Sequence, residues 1–207
     1  MTMKEKKKLI TYMKNFKNHE GYFGMTELKE KGFHTSEIKI LLDKSKIEKI
    51  KSGLYRITNF PELSDIRLSF IDVSHAVKEG VICLLSSLDY YNLTTFNPSE
   101  IYLAIPRTSK AKNIIYPPTK FFYFSEKNYL LGIEEIKTKY GIIKIYNKEK
   151  SICDIFRYRN KLGEDLAIES LKMYLKLKEA NIPKLLEYAE ICRIKKIILP
   201  YIKTIVS

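Results

Sequence analysis

The amino-acid sequence predicts an α+β chain whose 207 residues form two parts. Three changes in the spacing of apolar residues support this prediction. Helical spacing over Met25–Asp43 gives way to two short strand-like segments around Ser52-Gly53. Strand-like segments recur within Ile101–Tyr146, and helical spacing fills the chain after Asn147. We therefore expect an N-terminal part made of helices and one hairpin. A mixed α/β part follows, with a small, partly antiparallel sheet and a helical end.

The N-terminal part contains two predicted helices joined by a tight turn. Residues Met25–Lys31 favour a helix that ends at Gly32, and Gly32-Phe33-His34 has about the length of the turn in a helix-turn-helix. Thr35 and Ser36 are predicted to cap the second helix. Its core face comprises Ile38, Leu41 and Leu42, and its opposite face comprises Ser36, Lys39, Ile40 and Asp43.

A basic hairpin follows the second helix. Ile47–Lys51 and Leu54–Ile57 are predicted strands, and Ser52-Gly53 suits the two-residue turn between them because glycine tolerates positive φ. A helix-turn-helix followed by such a hairpin predicts a winged helix, whose second helix enters the major groove of DNA while the hairpin follows the phosphates. The predicted DNA-binding residues are Thr35, Ser36, Lys39, Lys44, Lys46, Lys49, Lys51 and Arg56.

Pro61 predicts a boundary between the two parts. Proline disfavours helix in the residue before it, so we place the junction near Phe60 and expect domains over 1–60 and 61–207. Before the helix-turn-helix, Lys4–Phe16 predicts an amphipathic helix that packs on it. Tyr22-Phe23 predicts either a short strand or a cover for the core.

The second part alternates between helical and strand patterns. The predicted helices are Leu63–Lys78, Val81–Tyr91, Lys148–Tyr158, Glu164–Leu177, one capped by Asn181, and Ile194–Val206, which Pro200 kinks or ends. The predicted strands are Ile101–Ile105, Lys120–Phe124, Tyr129–Leu131, Ile133–Lys137 and Ile142–Tyr146.

The charge and the cysteine content of the chain limit which partners and which cellular compartment we expect. The formal net charge is +13, and residues 1–60 carry 14 Lys and Arg against 7 Asp and Glu. This density predicts a polyanionic partner, although lysine content alone does not identify one. Cys83, Cys153 and Cys192 are far apart in apolar contexts, which predicts buried free thiols in a reducing compartment. With no signal-peptide pattern and no run of 18 apolar residues, we expect a cytoplasmic protein that does not bind membranes.

The sequence shows no pattern typical of an enzyme site. It lacks a glycine-rich nucleotide motif, and His19, His34 and His75 are isolated, so we expect no cofactor, no metal and no catalytic residue. Two alternatives to a DNA-binding regulator stay open. One is a nucleic-acid-processing enzyme targeted by its winged helix, which requires a convergent acidic or histidine cluster. The other is a basic module that holds a protein or an RNA.

Four stretches in their order resemble the AbiEi family, the antitoxins and transcriptional regulators of type IV toxin–antitoxin (abortive-infection, phage-defence) systems. These stretches are KIEKIKSGLYRI, GVICLLSSLDYYNL, EIYLAIPR and IYNKEKSICDIFRYRNKLGEDLAIESLKMYL. The chain departs from the expected pattern at Ser45-Lys46, where we expect a glycine before the hairpin.

The resemblance implies more than the residues themselves predict. It implies a repressor that binds inverted repeats in double-stranded DNA upstream of its own operon through the N-terminal domain. It also implies a C-terminal domain that counters a nucleotidyltransferase toxin without forming a stable complex with it. The resemblance assigns no individual residue to the antitoxin role.

Overall fold

The computed structural model describes residues 21–58, 67–138 and 140–206, and these ranges form a mixed α+β structure. The described helices are α1 (Met25–Glu30), α2 (Thr35–Asp43), α3 (Leu68–Ala76), α4 (Leu84–Tyr90), α5 (Glu126–Leu130), α6 (Lys148–Leu162), α7 (Glu164–Leu175), α8 (Ile182–Ile191) and α9 (Lys195–Val206). The described strands are β1 (Tyr22–Gly24), β2 (Ile47–Lys51), β3 (Leu54–Ile57), β4 (Val81–Ile82), β5 (Ile101–Pro106), β6 (Thr119–Phe124), β7 (Ile133–Thr138) and β8 (Gly141–Tyr146). The helix predicted over Lys4–Phe16 lies outside the described residues.

The described residues divide into two compact units. The N-terminal unit comprises residues 21–58, 67–78, 112–117, 137–138 and 140–142. The C-terminal unit comprises residues 79–111, 118–136 and 143–206. Helix α3 therefore groups with the N-terminal unit, beyond the junction that the sequence predicts. The position of that junction, near Phe60, falls outside the described ranges.

Helix α1 ends at the predicted glycine turn. Gly32 has a φ of +80°, a left-handed conformation that glycine adopts without steric cost. The N–H groups of Gly32 and Phe33 donate to the carbonyls of Lys29 and Leu28 at 2.8 and 3.0 Å. These bonds satisfy carbonyl groups at the end of α1 and turn the chain towards α2.

The N-cap of helix α2 lies one residue before the two residues predicted to cap it. Its N-cap is His34, whose backbone N–H donates to the Glu37 carboxylate at 2.7 Å. The prediction that Thr35 and Ser36 cap this helix is therefore wrong, because both lie in its first turn. Glutamate at the third helical position, bonded back to the N-cap, fixes the start of the helix.

The N-terminal unit contains a three-stranded antiparallel sheet in the order β1-β3-β2. The predicted hairpin is confirmed, with Gly53 at a φ of +76° in its turn and an irregularity in the pairing between Lys49 and Lys51. Strand β1 begins at Tyr22, and Phe23 within it is buried, so this predicted segment both adds a strand and covers the core.

The core of the N-terminal unit lies where α1 and α2 pack on this sheet. It consists of side chains from all three strands, both helices and the turn, namely Phe23, Leu28, Phe33, Ile38, Leu41, Ile47 and Tyr55. Ile38 and Leu41 are the predicted inward residues of α2. Burial of this apolar face, rather than helix propensity, stabilises helices as short as α1.

A left-handed serine connects α2 to the hairpin. Ser45 has a φ of +48°, and the N–H groups of Ser45 and Lys46 donate to the carbonyls of Leu42 and Leu41, each at 2.9 Å. The Thr58 hydroxyl donates to the Ser45 carbonyl at 2.7 Å and fixes the turn. Ser45 therefore occupies a left-handed conformation that glycine adopts without steric cost, at one of the two positions where the family resemblance leads us to expect a glycine.

A second sheet has five strands in the order β6-β5-β4-β8-β7. Strand β4 is antiparallel to β5 and parallel to β8, while β5 and β6 are parallel. The predicted small, partly antiparallel sheet is confirmed.

Two local predictions for the C-terminal unit are wrong. Val81–Ile82 forms β4 rather than the start of a helix, because it pairs with strands on both sides. Tyr129 lies in α5 rather than in a strand, and its hydroxyl donates to the Glu79 carbonyl at 2.5 Å.

The C-terminal unit ends in four helices, two of which begin at the predicted caps. The Asn147 side chain accepts from the Lys150 N–H at 3.0 Å, and the Asn181 side chain accepts from the Lys184 N–H at 2.9 Å. Helix α9 does not end at Pro200 but continues to Val206. The three cysteines are free and buried, as predicted.

We expect Ser45→Gly to raise the free energy of unfolding of the N-terminal unit by about 0.5–1 kcal/mol, because glycine removes the steric cost of a Cβ in the left-handed region. Native-state hydrogen exchange of the β2 and β3 amides measures this change. The matched variant Ser45→Ala keeps a Cβ and should stay within about 0.5 kcal/mol of the wild type. Equal protection in the wild type and Ser45→Gly would contradict the expectation.

Candidate nucleic-acid interface

Helix α2 presents a polar face to solvent. Thr35, Ser36 and Lys39 are exposed, whereas Ile38 and Leu41 are buried in the core. The three exposed side chains are those that the sequence predicts to face DNA from this helix. Their separation from the buried face follows from the 3.6-residue period, which places Ser36 and Lys39 on one side of the helix.

Further exposed lysines follow α2 in the chain. The cationic surface, as we define it, consists of the exposed lysines Lys39, Lys44, Lys46 and Lys49. Asp43 is an exposed acid within this stretch. The exposed Glu48 also lies there, but its carboxylate contacts the Arg56 guanidinium. Four ammonium groups within eleven residues therefore leave the exposed stretch positively charged, which suits contacts with phosphates.

Arg56 belongs to the interior rather than to this surface. Its side chain is 4% exposed, and its Nε lies 2.9 Å from Asp72 Oδ1. The Glu48 carboxylate contacts the other end of the guanidinium. Arg56, which the sequence predicts to contact DNA phosphate, therefore has its guanidinium engaged by two carboxylates and lies at the edge of a cleft rather than among the exposed lysines.

Lys51 is also engaged within the protein. Its side chain is half-buried, and its ammonium donates to the Ala76 carbonyl at 2.5 Å. Ala76 is the last residue of α3, where a positive charge interacts favourably with the helix dipole. The structure therefore places the Lys51 charge at the end of α3 and separates it from the four exposed lysines.

Asp72 joins Arg56 to a second strand. The Tyr22 hydroxyl donates to Asp72 Oδ1 at 2.6 Å, so one carboxylate in α3 holds both β1 and β3. The Tyr22 ring stacks on the His75 ring with 3.9 Å between centroids, and His75 Nε2 lies 2.7 Å from the Tyr140 carbonyl oxygen. Loss of one partner of a buried ion pair typically costs roughly 3–5 kcal/mol because the other charge is left alone in the interior, so these groups keep β1, β3 and α3 together.

The burial of Asp72 changes its proton affinity. Burial raises the pKa of its carboxyl from 3.8 to about 6, against the opposing effects of the Tyr22 hydrogen bond and the Arg56 charge. The Glu48 charge raises this pKa further. Burial and the neighbouring Asp72 charge also raise the pKa of the Tyr22 hydroxyl, which therefore stays protonated as a donor.

A cleft of about 310 Å³ adjoins this network in the N-terminal unit. Glu48, Lys49, Asp72 and Tyr116 are among the residues that line it. Asp72 Oδ2 has no hydrogen-bond partner within the described part of the chain. The cleft places an exposed lysine of the cationic surface beside an aromatic side chain from residues 112–117.

The C-terminal unit contains a buried ion pair that the sequence does not reveal. Lys150 and Asp154 are both 0% exposed, and Lys150 Nζ lies 2.6 Å from Asp154 Oδ1. The ammonium also lies 4.6 and 4.3 Å from the ring centroids of Phe124 and Tyr146. Burial raises the pKa of Asp154, while the Lys150 charge and hydrogen bond lower it. The pair is closed to solvent and holds α6 in the core.

Within residues 21–58, 67–138 and 140–206, no three His, Cys, Asp or Glu side chains gather where they could hold a metal ion. None of the helices in these ranges is long and apolar enough to cross a membrane. Comparison of the chain with protein-family models and with curated proteins finds no match.

We expect the stability of the wild type, relative to Asp72→Asn, to rise as pH falls. The folded-state pKa of Asp72 is about 6, above its ordinary value of 3.8, so the folded protein binds more protons than the unfolded chain between these pH values. The contribution of Asp72 is fully present below about pH 4 and is lost as pH rises through 6.

Urea unfolding at pH 4.5, 6 and 7.5 measures this effect. The difference in unfolding free energy between wild type and Asp72→Asn should be about 2 kcal/mol more favourable to the wild type at pH 4.5 than at pH 7.5. Parallel pH profiles, or a difference that moves in the opposite direction, would contradict the role assigned to the Asp72 carboxyl.

Proposed function

We propose that the protein is a DNA-binding transcriptional regulator whose N-terminal unit is a winged helix. Helix α2 is its recognition helix in the major groove, and the β2–β3 hairpin is the wing along the phosphates. The observation that carries this proposal is the exposure of Thr35, Ser36 and all four lysines of the cationic surface within residues 35–49.

The order of elements supports the winged-helix assignment. One strand, two helices joined by a glycine turn, and a hairpin follow one another as β1-α1-α2-β2-β3. The hairpin pairs back onto β1, so the three strands form one sheet behind the two helices. Because Ile38 and Leu41 bury the opposite face of α2, Ser36 and Lys39 are directed away from that sheet.

The charge distribution supports DNA as the partner. The buried Arg56 is paired with carboxylates and Lys51 is bound at the end of α3, so these two cations stabilise the frame. The exposed lysines of the cationic surface supply the charge for phosphates. Phosphate contacts position a protein on a duplex, and side chains of the recognition helix read the bases. We assign Thr35, Ser36 and Lys39 to the bases and Lys44, Lys46 and Lys49 to the phosphates.

The resemblance to the AbiEi family extends this proposal to a biological role. We propose that the chain represses its own operon by binding inverted repeats upstream of it. We also propose that it counters a nucleotidyltransferase toxin in the cytoplasm without forming a stable complex with that toxin. The C-terminal unit carries the antitoxin role in this proposal, and we assign none of its residues to that role.

Fluorescence anisotropy with a labelled duplex from the region upstream of its own gene tests DNA binding. The logarithm of the affinity should fall linearly with the logarithm of the salt concentration, with a slope of about −0.9 per phosphate contact. Lys49→Ala should weaken binding to all duplexes alike and make that slope shallower by about 0.9. Lys39→Ala and Ser36→Ala should instead change which duplex is preferred.

The control is Lys178→Ala, which removes an exposed lysine from the C-terminal unit and should leave both affinity and slope unchanged. Failure of the wild type to bind any duplex at low salt would overturn the proposed function. If Lys39→Ala and Lys49→Ala have the same effect on sequence preference and slope, the assignment of recognition helix and wing is wrong.

A further inference from the structure

Residues 112–117 form part of the N-terminal unit although they lie far from it in the sequence. Ile114 pairs with Lys51 in an antiparallel bridge, and the N–H groups of Ile115 and Tyr116 donate to the Ile50 carbonyl at 2.8 and 3.2 Å. Strand β2 is the outer strand of its sheet, so the segment covers part of an edge that would otherwise be open. We call Lys112–Tyr116 the flanking segment.

The flanking segment presents two large apolar side chains to solvent. Ile115 is 54% exposed and Tyr116 is 53% exposed. Their backbone is fixed by hydrogen bonds to β2, so the fold holds these side chains outward rather than leaving them on an unattached loop. Adjacent exposed apolar side chains on an ordered backbone are typical of a surface that another molecule covers.

The charges around this apolar pair indicate which molecule covers it. Lys112 is exposed at the start of the segment, and Lys49 of the cationic surface lines the same cleft as Tyr116. The nearby Glu48 carboxylate contacts Arg56. A second copy of the chain would bring these lysines against one another, which is unfavourable. Duplex DNA offers phosphates to the lysines and apolar sugar edges to Ile115 and Tyr116.

We propose that the flanking segment is a further part of the DNA interface, in which Ile115 and Tyr116 pack on the sugar edges of the minor groove beside the wing and Lys112 contacts a phosphate. This inference rests on the proposed function. The proposed apolar contacts differ from phosphate contacts because they contribute to affinity without releasing counterions. Removing them weakens binding equally at all salt concentrations, whereas removing a phosphate-contacting lysine also changes the salt slope.

The test uses the full chain carrying Ile115→Ser and Tyr116→Ser together. Anisotropy titrations with the upstream duplex should show affinity reduced on the order of tenfold at every salt concentration, with an unchanged slope, because two apolar side chains lose their cover. The matched control is Tyr123→Ser with Leu130→Ser, which removes side chains that are 44% and 61% exposed in the C-terminal unit. This control should bind as the wild type does.

Each outcome decides between specific alternatives. Wild-type affinity in the Ile115→Ser, Tyr116→Ser variant overturns the inference and leaves the proposed function standing. A wild type that binds no duplex overturns both. A wild type that dimerises without DNA, in sedimentation velocity, and a double variant that does not would show that a second copy covers the segment, which also overturns the inference.

A second measurement does not depend on the folding of that variant. The three native cysteines are buried, so a cysteine introduced by Lys112→Cys is available for selective attachment of an iron–EDTA probe. The labelled protein should cleave the bound duplex at minor-groove positions beside the wing. The same probe at Lys178→Cys should not cleave it. Equal cleavage from both positions, or none from the first, would overturn the placement of the flanking segment.

Discussion

The N-terminal unit is arranged around the buried contact between Arg56 and Asp72. It joins β3 to α3, and the Tyr22 hydroxyl brings β1 to the same carboxylate. Since Glu48 of β2 contacts the same guanidinium, one buried arginine connects all three strands to a helix. A network of this kind is stable only while its partners remain together, because each charge left alone in the interior is costly.

This network divides the cations of the hairpin into two classes. Arg56 and Lys51 satisfy groups inside the fold, whereas Lys49 and Lys46 remain exposed. The contacts of Arg56 and Lys51 fix the position of the hairpin. In the proposed function, Lys49 and Lys46 contact the ligand. The proposed DNA interface therefore relies on positions that the buried pair orients.

The C-terminal unit uses a buried cation differently. Lys150 is enclosed by Asp154 and by the rings of Phe124 and Tyr146, so an acid and two aromatic faces replace its hydration. The pair lies one turn apart on α6, directly after the Asn147 cap. Through the contacts with Phe124 and Tyr146 it fixes the first turns of α6 against the sheet.

Local patterns predicted much of the fold, and long-range contacts account for the rest. The hairpin Ile47–Ile57 follows from its glycine turn and is confirmed with its bounds. The Asn147 cap follows from side-chain chemistry and is also confirmed, although its helix runs to Leu162 rather than to the predicted Tyr158. Val81–Ile82 becomes a strand only because distant strands pair with it on both sides. Short apolar runs such as this one carry no period that separates strand from helix.

In the candidate site, too, local patterns could be predicted from the sequence and long-range contacts could not. The outward face of α2 is predictable because the 3.6-residue period determines it. The burial of Arg56 cannot be predicted in the same way, because an exposed and a buried arginine of a hairpin look alike in sequence. Only the contact with Asp72 of α3, which the fold creates, distinguishes them. Lys150 and Asp154 resemble a solvated i, i+4 pair for the same reason. Their apolar neighbours in α6 give a weak signal of burial.

Lysine footprinting tests the central claim, that the exposed lysines rather than the buried cations of the N-terminal unit meet DNA. The full chain is acetylated briefly with and without the upstream duplex, and modified lysines are quantified by mass spectrometry. Protection by DNA is expected at Lys39, Lys44, Lys46 and Lys49. Lys51 and Lys150 should react slowly in both states, and Lys178 should react equally in both. Protection confined to the C-terminal unit, or uniform reactivity with the duplex bound, would contradict the account.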